Sequence, residues 1–304
     1  MRILLWLLPT MICSQLADNQ TYLYFAPTHG RIGNQIEQLL GMMALSLEAN
    51  RTLIFPDFIL YSSDRRKLPF TDLFSSDFGI YIHNFKPSRV HCKTKELYQD
   101  RVHWHKNFQP NVEVVDIGNV IQMTDQLIAT PYPLSKFPVN PAHRYMQSKL
   151  NWSTKIIDQT ILPPRPYVGL HLRQGNDWKS IIPTAIGSSS FFAHPQNNRT
   201  MGIVLTADMI YQDVSYITDV IRRQTIKNIF IASDVRVNIV VDQYNIFFGS
   251  LDLFEHDLYT LEQADLFIGN TVSSFSSCVT RMREERDVQT EFFGIDYKRK
   301  KDDL

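Results

Sequence analysis

Four polar clusters in this chain fall where an apolar run gives way to a loop, the place where a sheet protein does its chemistry. The most pointed is His171-Leu172-Arg173, followed by Gln174-Gly175-Asn176-Asp177. Val168, Leu170 and Leu172 alternate with Tyr167, Gly169 and His171, a period of two that predicts a strand. Arg173 then stands at the carboxyl end of that strand, where open α/β sheets bind their ligands. Its planar fork of five donors suits a phosphate or diphosphate. A surface arginine closing a strand is the other use of the same pattern.

The remaining clusters have the same double character. Gly30-Arg31-Ile32-Gly33-Asn34-Gln35 lies between a short predicted strand and a helix. Two glycines let the backbone turn tightly and approach a ligand, and a helix N-terminus offers free N–H groups to an anion. The spacing is neither G-x-G-x-x-G nor a P-loop, which disfavours NAD and ATP. Ser233-Asp234 ends an apolar run, and a carboxylate there accepts hydrogen bonds from a ribose or from guanine, or caps a helix. Ser273-Ser274-Phe275 offers two hydroxyls and helix N–H groups to a phosphate and a ring to a base or sugar, or is a capping pair.

The elements that must hold these clusters alternate strand and helix. A strand is predicted at 22–25, then a helix from about Asn34 whose Ile36, Leu39, Leu40, Met43 and Leu47 share one face, then a strand at 52–55 closed by Pro56. Residues 57–130 show no clear period. A proline-rich segment, 131–141, precedes a predicted helix from Ala142 to about Thr160, which Pro163-Pro164-Arg165-Pro166 ends. The second half is more legible. Beyond the strand at 167–172 and a polar loop at 187–202, Thr206 is positioned to cap a helix carrying Ile210, Val214, Ile217 and Ile221 on one face. Strands at 228–232 and 266–269, a helix at 256–264, a second helix that 270–275 leads into and that runs to about 286, and a last strand at 291–296 follow. The expected fold is α/β, two Rossmann-like domains facing a cleft, with an N-terminal domain at 22–160 and a C-terminal domain at 165–296.

Composition narrows the function. Apolar residues make up 44% and charged residues 20%, with zero formal net charge, so a nucleic-acid-binding surface is not expected. Residues 1–17 read as a signal peptide, a basic start followed by a compact apolar run too short to span a bilayer. No other stretch is long and apolar enough to span. The tail at 297–304 ends in Lys301-Asp302-Asp303-Leu304, close to the K-D-E-L retention address, and together the two ends predict a soluble protein of the endoplasmic reticulum lumen. Sequons at Asn19, Asn50, Asn151 and Asn198 fit that compartment. Cys92 and Cys278 allow one disulfide or none. His83, His91, Cys92, His103 and His105 match no metal-ligand spacing. There is no G-x-S-x-G elbow and no Asp-x-Asp pair, which disfavours an α/β-hydrolase and a metal-dependent sugar transferase. A cleft with arginines for a diphosphate and an acid for a base describes a nucleotide-sugar transferase without an obligatory metal.

GRIGNQ with NRTL downstream (30–35, 50–53), RPYVGLHLRQGNDWK (165–179), IASD (231–234), QADLFIGNTVSSF (263–275) and FFGID (292–296) occur in order along the chain. Together they resemble the protein O-fucosyltransferases of the first type, which move fucose from GDP-fucose to Ser or Thr of EGF-like repeats, as in Notch-type proteins. The resemblance implies a GT-B fold and an inverting reaction that requires no cofactor and no metal. It implies that Arg173 pairs with the β-phosphate, that His171 and Asp234 hold the nucleoside, with Asp234 at guanine, that Leu172 between them belongs to the GDP-fucose site, and that Ser274 and Phe275 line the phosphate and sugar end. Arg31, Ile32, Gly33 and Asn34 then face the donor from the other domain, with Asn34 near the acceptor hydroxyl, and Asp177 orients the arginine loop. The proton acceptor stays open. The chain departs from the family at Thr271, where a cysteine is usual, and in the loop after 180, which is shortened and rewritten. A lumenal binding protein for EGF-containing clients, or a fucosyltransferase with another acceptor, are the alternatives.

Overall fold

The computed structural model describes residues 22–25, 31–48, 50, 52–60, 66–83, 127–130, 146–180, 182–186 and 204–295. The signal segment, the proline-rich 131–141, the loop 187–202, the retention-like tail, Asn19, Asn198, Cys92, His91, His103 and His105 lie outside them.

Two parallel sheets carry the architecture. The first holds β1 (Tyr22–Phe25), β2 (Thr52–Phe55), β3 (Ile80–Tyr81) and β4 (Leu127–Thr130) in the order β3-β2-β1-β4. Helix α1 (Ile32–Glu48) joins β1 to β2. Its Ile36, Leu39, Leu40 and Met43 are sealed from solvent, as their spacing requires, whereas Leu47 is half exposed because the last turn runs past the packed surface. Asn50 takes a left-handed φ of 51° that turns the chain from the helix into β2.

The second sheet holds β5 (Tyr167–Leu172), β6 (Asn228–Ser233), β7 (Asn245–Phe248), β8 (Leu266–Gly269) and β9 (Thr290–Phe292) in the order β7-β6-β5-β8-β9. The chain runs outward from β5 to β7, then crosses back to β8. That reversal makes a crevice between the carboxyl ends of β5 and β8, the ligand position of doubly wound sheets. All six residues of β5 are buried, so its alternation separates two covered faces rather than an inner and an outer one. Val168, Leu170 and Leu172 pack with Ile217 and Ile221 of helix α4, the fourth in a series that also holds α2 (Thr154–Gln159), α3 (Asn176–Lys179), α4 (Val214–Arg222), α5 (Phe254–Gln263) and α6 (Ser274–Glu284). On the other face α5 lies so close to Gly169 that a Cβ there would come within 3.0 Å of Leu261 and 3.1 Å of Ala264.

Two expectations change and one strand is added. The helix predicted over 142–160 does not form among the described residues: Asn151–Trp152 pairs antiparallel with Phe74–Ser75, and Ser153 then caps the short α2 by accepting the Ile156 N–H at 3.2 Å. Trp152 decides this, because its ring is held between Phe74 (5.2 Å) and Tyr259 (5.5 Å). The helix expected from Thr206 is two, Ala207–Ile210 and α4, since Asp213 accepts the Tyr216 N–H at 2.7 Å and starts a new helix. Strand β7, on the sheet edge, has no counterpart in the sequence reading.

The two sheets share one apolar core, in which Ile36 and Leu40 of α1 and Cys278, Val279 and Met282 of α6 belong to a single cluster. A Cβ on Gly33 would lie 2.6 Å from the Phe275 backbone nitrogen, so only glycine lets α1 approach α6 here. A buried Glu37–Arg281 ion pair crosses the same interface, and Arg66 reaches Glu255 at 2.5 Å. Cys278 is a buried free thiol. Thr271 is buried and donates from Oγ1 to the Phe293 carbonyl at 3.3 Å. Among the described residues no helix is long and apolar enough to cross a membrane, and no three His, Cys, Asp or Glu side chains are grouped to hold a metal ion.

Candidate functional site

The crevice is built from the ends of β5, β6 and β8. Where β5 stops, Arg173 is 9% exposed and its guanidinium lies 4.9 Å over the Trp178 ring. Its Nη2 donates to Asp177 Oδ2 at 3.0 Å, and its Nη1 pairs with Asp234 at the end of β6. Asp234 also accepts the backbone N–H of Gln174 at 2.7 Å and that of Gly175 at 3.2 Å. A side chain on Gly175 would collide with both carboxylates, which is why the strand-to-helix turn needs glycine there. From the other sheet, Arg31 donates to Asp234 at 3.1 Å and reaches Asp177 at 3.5 Å. Two guanidiniums and two carboxylates therefore form one cluster across the crevice. Burial lowers Arg173 from its usual value and the Arg31 charge adds to this, with Asp177 acting against them. Burial would raise Asp177, but Arg173 and then Arg31 outweigh it and hold its carboxyl below the ordinary range.

The facing wall is the turn from β8 into α6. Ser273 occupies the N-cap position without a side-chain cap hydrogen bond, so the serine pair is not spent on capping. Ser274 donates to Asn34 Oδ1 at 2.5 Å, tying this wall to α1. Phe275 stacks on His171 with ring centroids 4.5 Å apart and planes at 26°. His171 is buried, and burial, with help from Arg173 and Arg31, pushes its pKa down to about 3, so its ring is neutral near neutral pH.

These walls enclose a cavity of about 320 Å³. Arg31, Ile32, Gly33, Asn34, His171, Arg173, Asp234, Ser274 and Phe275 line it, as do Asp177 and Ser273. Leu172 does not: its side chain turns to the opposite face of β5, in the core with Val168 and Leu170. Asp234, expected at guanine, has its carboxylate committed to the arginines and the Gln174–Gly175 backbone.

A further acid in the cavity is one the sequence does not signal. Asp257, in α5, lines it and, among the described residues, is in no ion pair and accepts one hydrogen bond, from the Ser250 N–H at 3.1 Å. Burial, and secondarily the charge of Glu255, pushes its pKa up to about 7 against that hydrogen bond. An acid in the first turn of a helix is ordinary and carries no local signal, yet Glu255, Asp257 and Leu258 to Glu262 are all buried because α5 is wedged between β5 and the first half of the chain.

The family model for GDP-fucose protein O-fucosyltransferase matches residues 81–286, more than half of the chain. The chain belongs to this family. The O-fucosyltransferase likeness extends well beyond the matched segment. GDP-fucose protein O-fucosyltransferase 1 of Caenorhabditis elegans is 24% identical over 363 residues, covering 93% of this chain and 92% of that protein. The crystal structure of POFUT1 in complex with GDP-fucose superposes with a TM-score of 0.69 at 21% identity, covering 92% of this chain and 99% of the other. The apo-form of POFUT1 gives 0.67 at 21%, with the same coverage. The shared fold is the GT-B type of α/β glycosyltransferase.

Proposed function

We propose that this protein transfers fucose from GDP-fucose to the hydroxyl of a Ser or Thr in an EGF-like repeat, in the secretory pathway. Family membership supports fucose transfer to protein, and the observation that carries the site is Arg173 buried at the strand end of the switch-point crevice with Arg31 facing it. As the bond from fucose C1 to the β-phosphate oxygen lengthens, negative charge collects on the departing GDP. Guanidiniums already in place stabilise that charge most in the transition state. They supply positive charge without a metal. Asp177 and Asp234 hold the arginines in position and keep the cluster neutral until a diphosphate displaces part of the pairing.

The free carboxylate of Asp257 supports a place for guanine, whose N1–H and N2–H₂ are donors. Ser274 and Phe275 are proposed at the phosphate and sugar, and Asn34 near the acceptor hydroxyl. One sheet in each half supports the division into 22–160 and 165–296. The leader and the KDDL tail support the endoplasmic reticulum lumen.

Purified protein given GDP-fucose and a folded EGF-like repeat is expected to yield fucosylated product, and Arg173→Ala to abolish it. Product formation unchanged by that substitution would sink the mechanism. No heat of binding with millimolar GDP-fucose would favour a client-binding protein instead.

A further inference from the structure

We propose that Ser276 is a positioning residue that fixes His171 in one tautomer, with its proton on Nε2 facing the cavity. Ser276 Oγ lies 2.7 Å from His171 Nδ1 and accepts the backbone N–H of Asn270 at 2.8 Å. Ser276 is fully buried, and among the described residues Oγ makes no third hydrogen bond. The hydroxyl hydrogen therefore has one acceptor in reach, Nδ1. A proton on Nδ1 would aim two N–H donors at one oxygen and strand the hydroxyl hydrogen without an acceptor. Asn270 is itself fastened, its Nδ2 donating to the Ile210 carbonyl at 2.9 Å and its Oδ1 accepting the Val272 N–H at 3.0 Å. The turn that forms one wall of the crevice thus also sets the tautomer of the histidine opposite.

Two consequences follow for the site. His171 lines the cavity beside Arg173, and its Nε2–H has no protein acceptor among the described residues. It offers an oxygen of the ligand a hydrogen bond without adding a third positive charge to the arginine pair. His171 is also excluded as the proton acceptor for the incoming hydroxyl, because its one lone pair is turned to Ser276. The identity of that ligand oxygen, on the diphosphate or the sugar of GDP-fucose, rests on the function proposed above; the tautomer does not.

The test is nitrogen NMR of the full chain with ring-labelled histidine, without nucleotide, the His171 signals being identified by their loss in His171→Gln. The expected spectrum has a protonated Nε2 and a bare Nδ1. Ser276→Ala is expected to give a mixture of tautomers and about 10-fold weaker GDP binding by calorimetry, and Ser276→Thr, which keeps the hydroxyl, to restore both. A wild-type ring protonated on Nδ1 overturns the proposal, as does an unchanged Nε2–H tautomer in Ser276→Ala. Should the alanine variant fail to fold, the wild-type and threonine spectra decide. An Nε2–H ring in a protein that does not bind GDP supports the Ser276 assignment and overturns the donor reading alone.

Discussion

Arg173 and Asp234 meet as a buried ion pair at the ends of adjacent strands, β5 and β6, with Arg31 donating to the same carboxylate from the other sheet at 3.1 Å. The carboxylate is the hinge of the site: it holds an arginine from each half where a diphosphate has to sit.

Removing that charge while keeping the shape isolates its contribution. Asp234→Asn leaves Arg173 buried with only Asp177 to balance it. Breaking one side of a buried pair costs about 3 kcal/mol. Urea denaturation is expected to show that loss, and an unchanged midpoint would mean that the pair contributes nothing net.

The geometry of Arg173 matters as much as its charge. It bridges Asp177 and Asp234 while stacked on Trp178. A lysine is a point charge that cannot span both carboxylates. Arg173→Lys is expected to lower kcat by about 10²-fold, the scale of losing a preorganised transition-state donor, with KM for GDP-fucose changed less. Steady-state kinetics separate the two parameters.

Asp257 predicts a pH dependence. Its pKa is raised to about 7 by burial and, to a lesser degree, by Glu255. A group with a raised folded pKa stabilises the protein below its unfolded pKa of about 4 and loses that contribution as pH rises through the folded value. Ligand-free stability is therefore expected to fall between about pH 4 and 7 through this group. Donor binding runs the other way, because guanine needs the ionised acceptor: affinity for GDP is expected to rise as pH passes 7 and to be flat in Asp257→Asn. Calorimetry across that range reads both proteins.

Gly33 predicts a structural coupling. Its missing side chain lets α1 meet the Phe275 backbone. Gly33→Ala is expected to cost about 2 kcal/mol by overpacking and to weaken GDP binding, because it pushes Asn34 from Ser274 and Arg31 from Asp234. Retained affinity in a destabilised variant would show that the two effects are separable.

Much of this was legible in the residues. Periodicity marks α1 and β5, and short apolar runs closed by polar turns mark β2, β6 and β8, because short-range apolar spacing reports which way a local segment must face. Four polar clusters at strand ends contain Arg31, Asn34, His171, Arg173, Asp234 and Ser274, which the fold brings to one cavity, although each pattern alone also fits a helix cap, a turn or a surface arginine. What local spacing could not carry was partnership. Leu172 follows His171 in the chain, yet its side chain faces away from the cavity because neighbours on a strand point to opposite faces. Asp234, which the resemblance places at guanine, is met in the fold by two arginines that share its oxygens, and no local spacing shows that pairing. Asp257 is singled out by nothing in its neighbours along the chain; packing of α5 on both sides buries it, and burial raises its pKa. Ser276 acquires a role only where α6 lies beside β5, because the hydrogen bond that sets the His171 ring joins residues 105 apart in sequence. The chain by itself determined which groups stand at the ends of its strands; the tertiary structure decided which of them remain free to bind, because burial and pairing are made between segments distant in sequence.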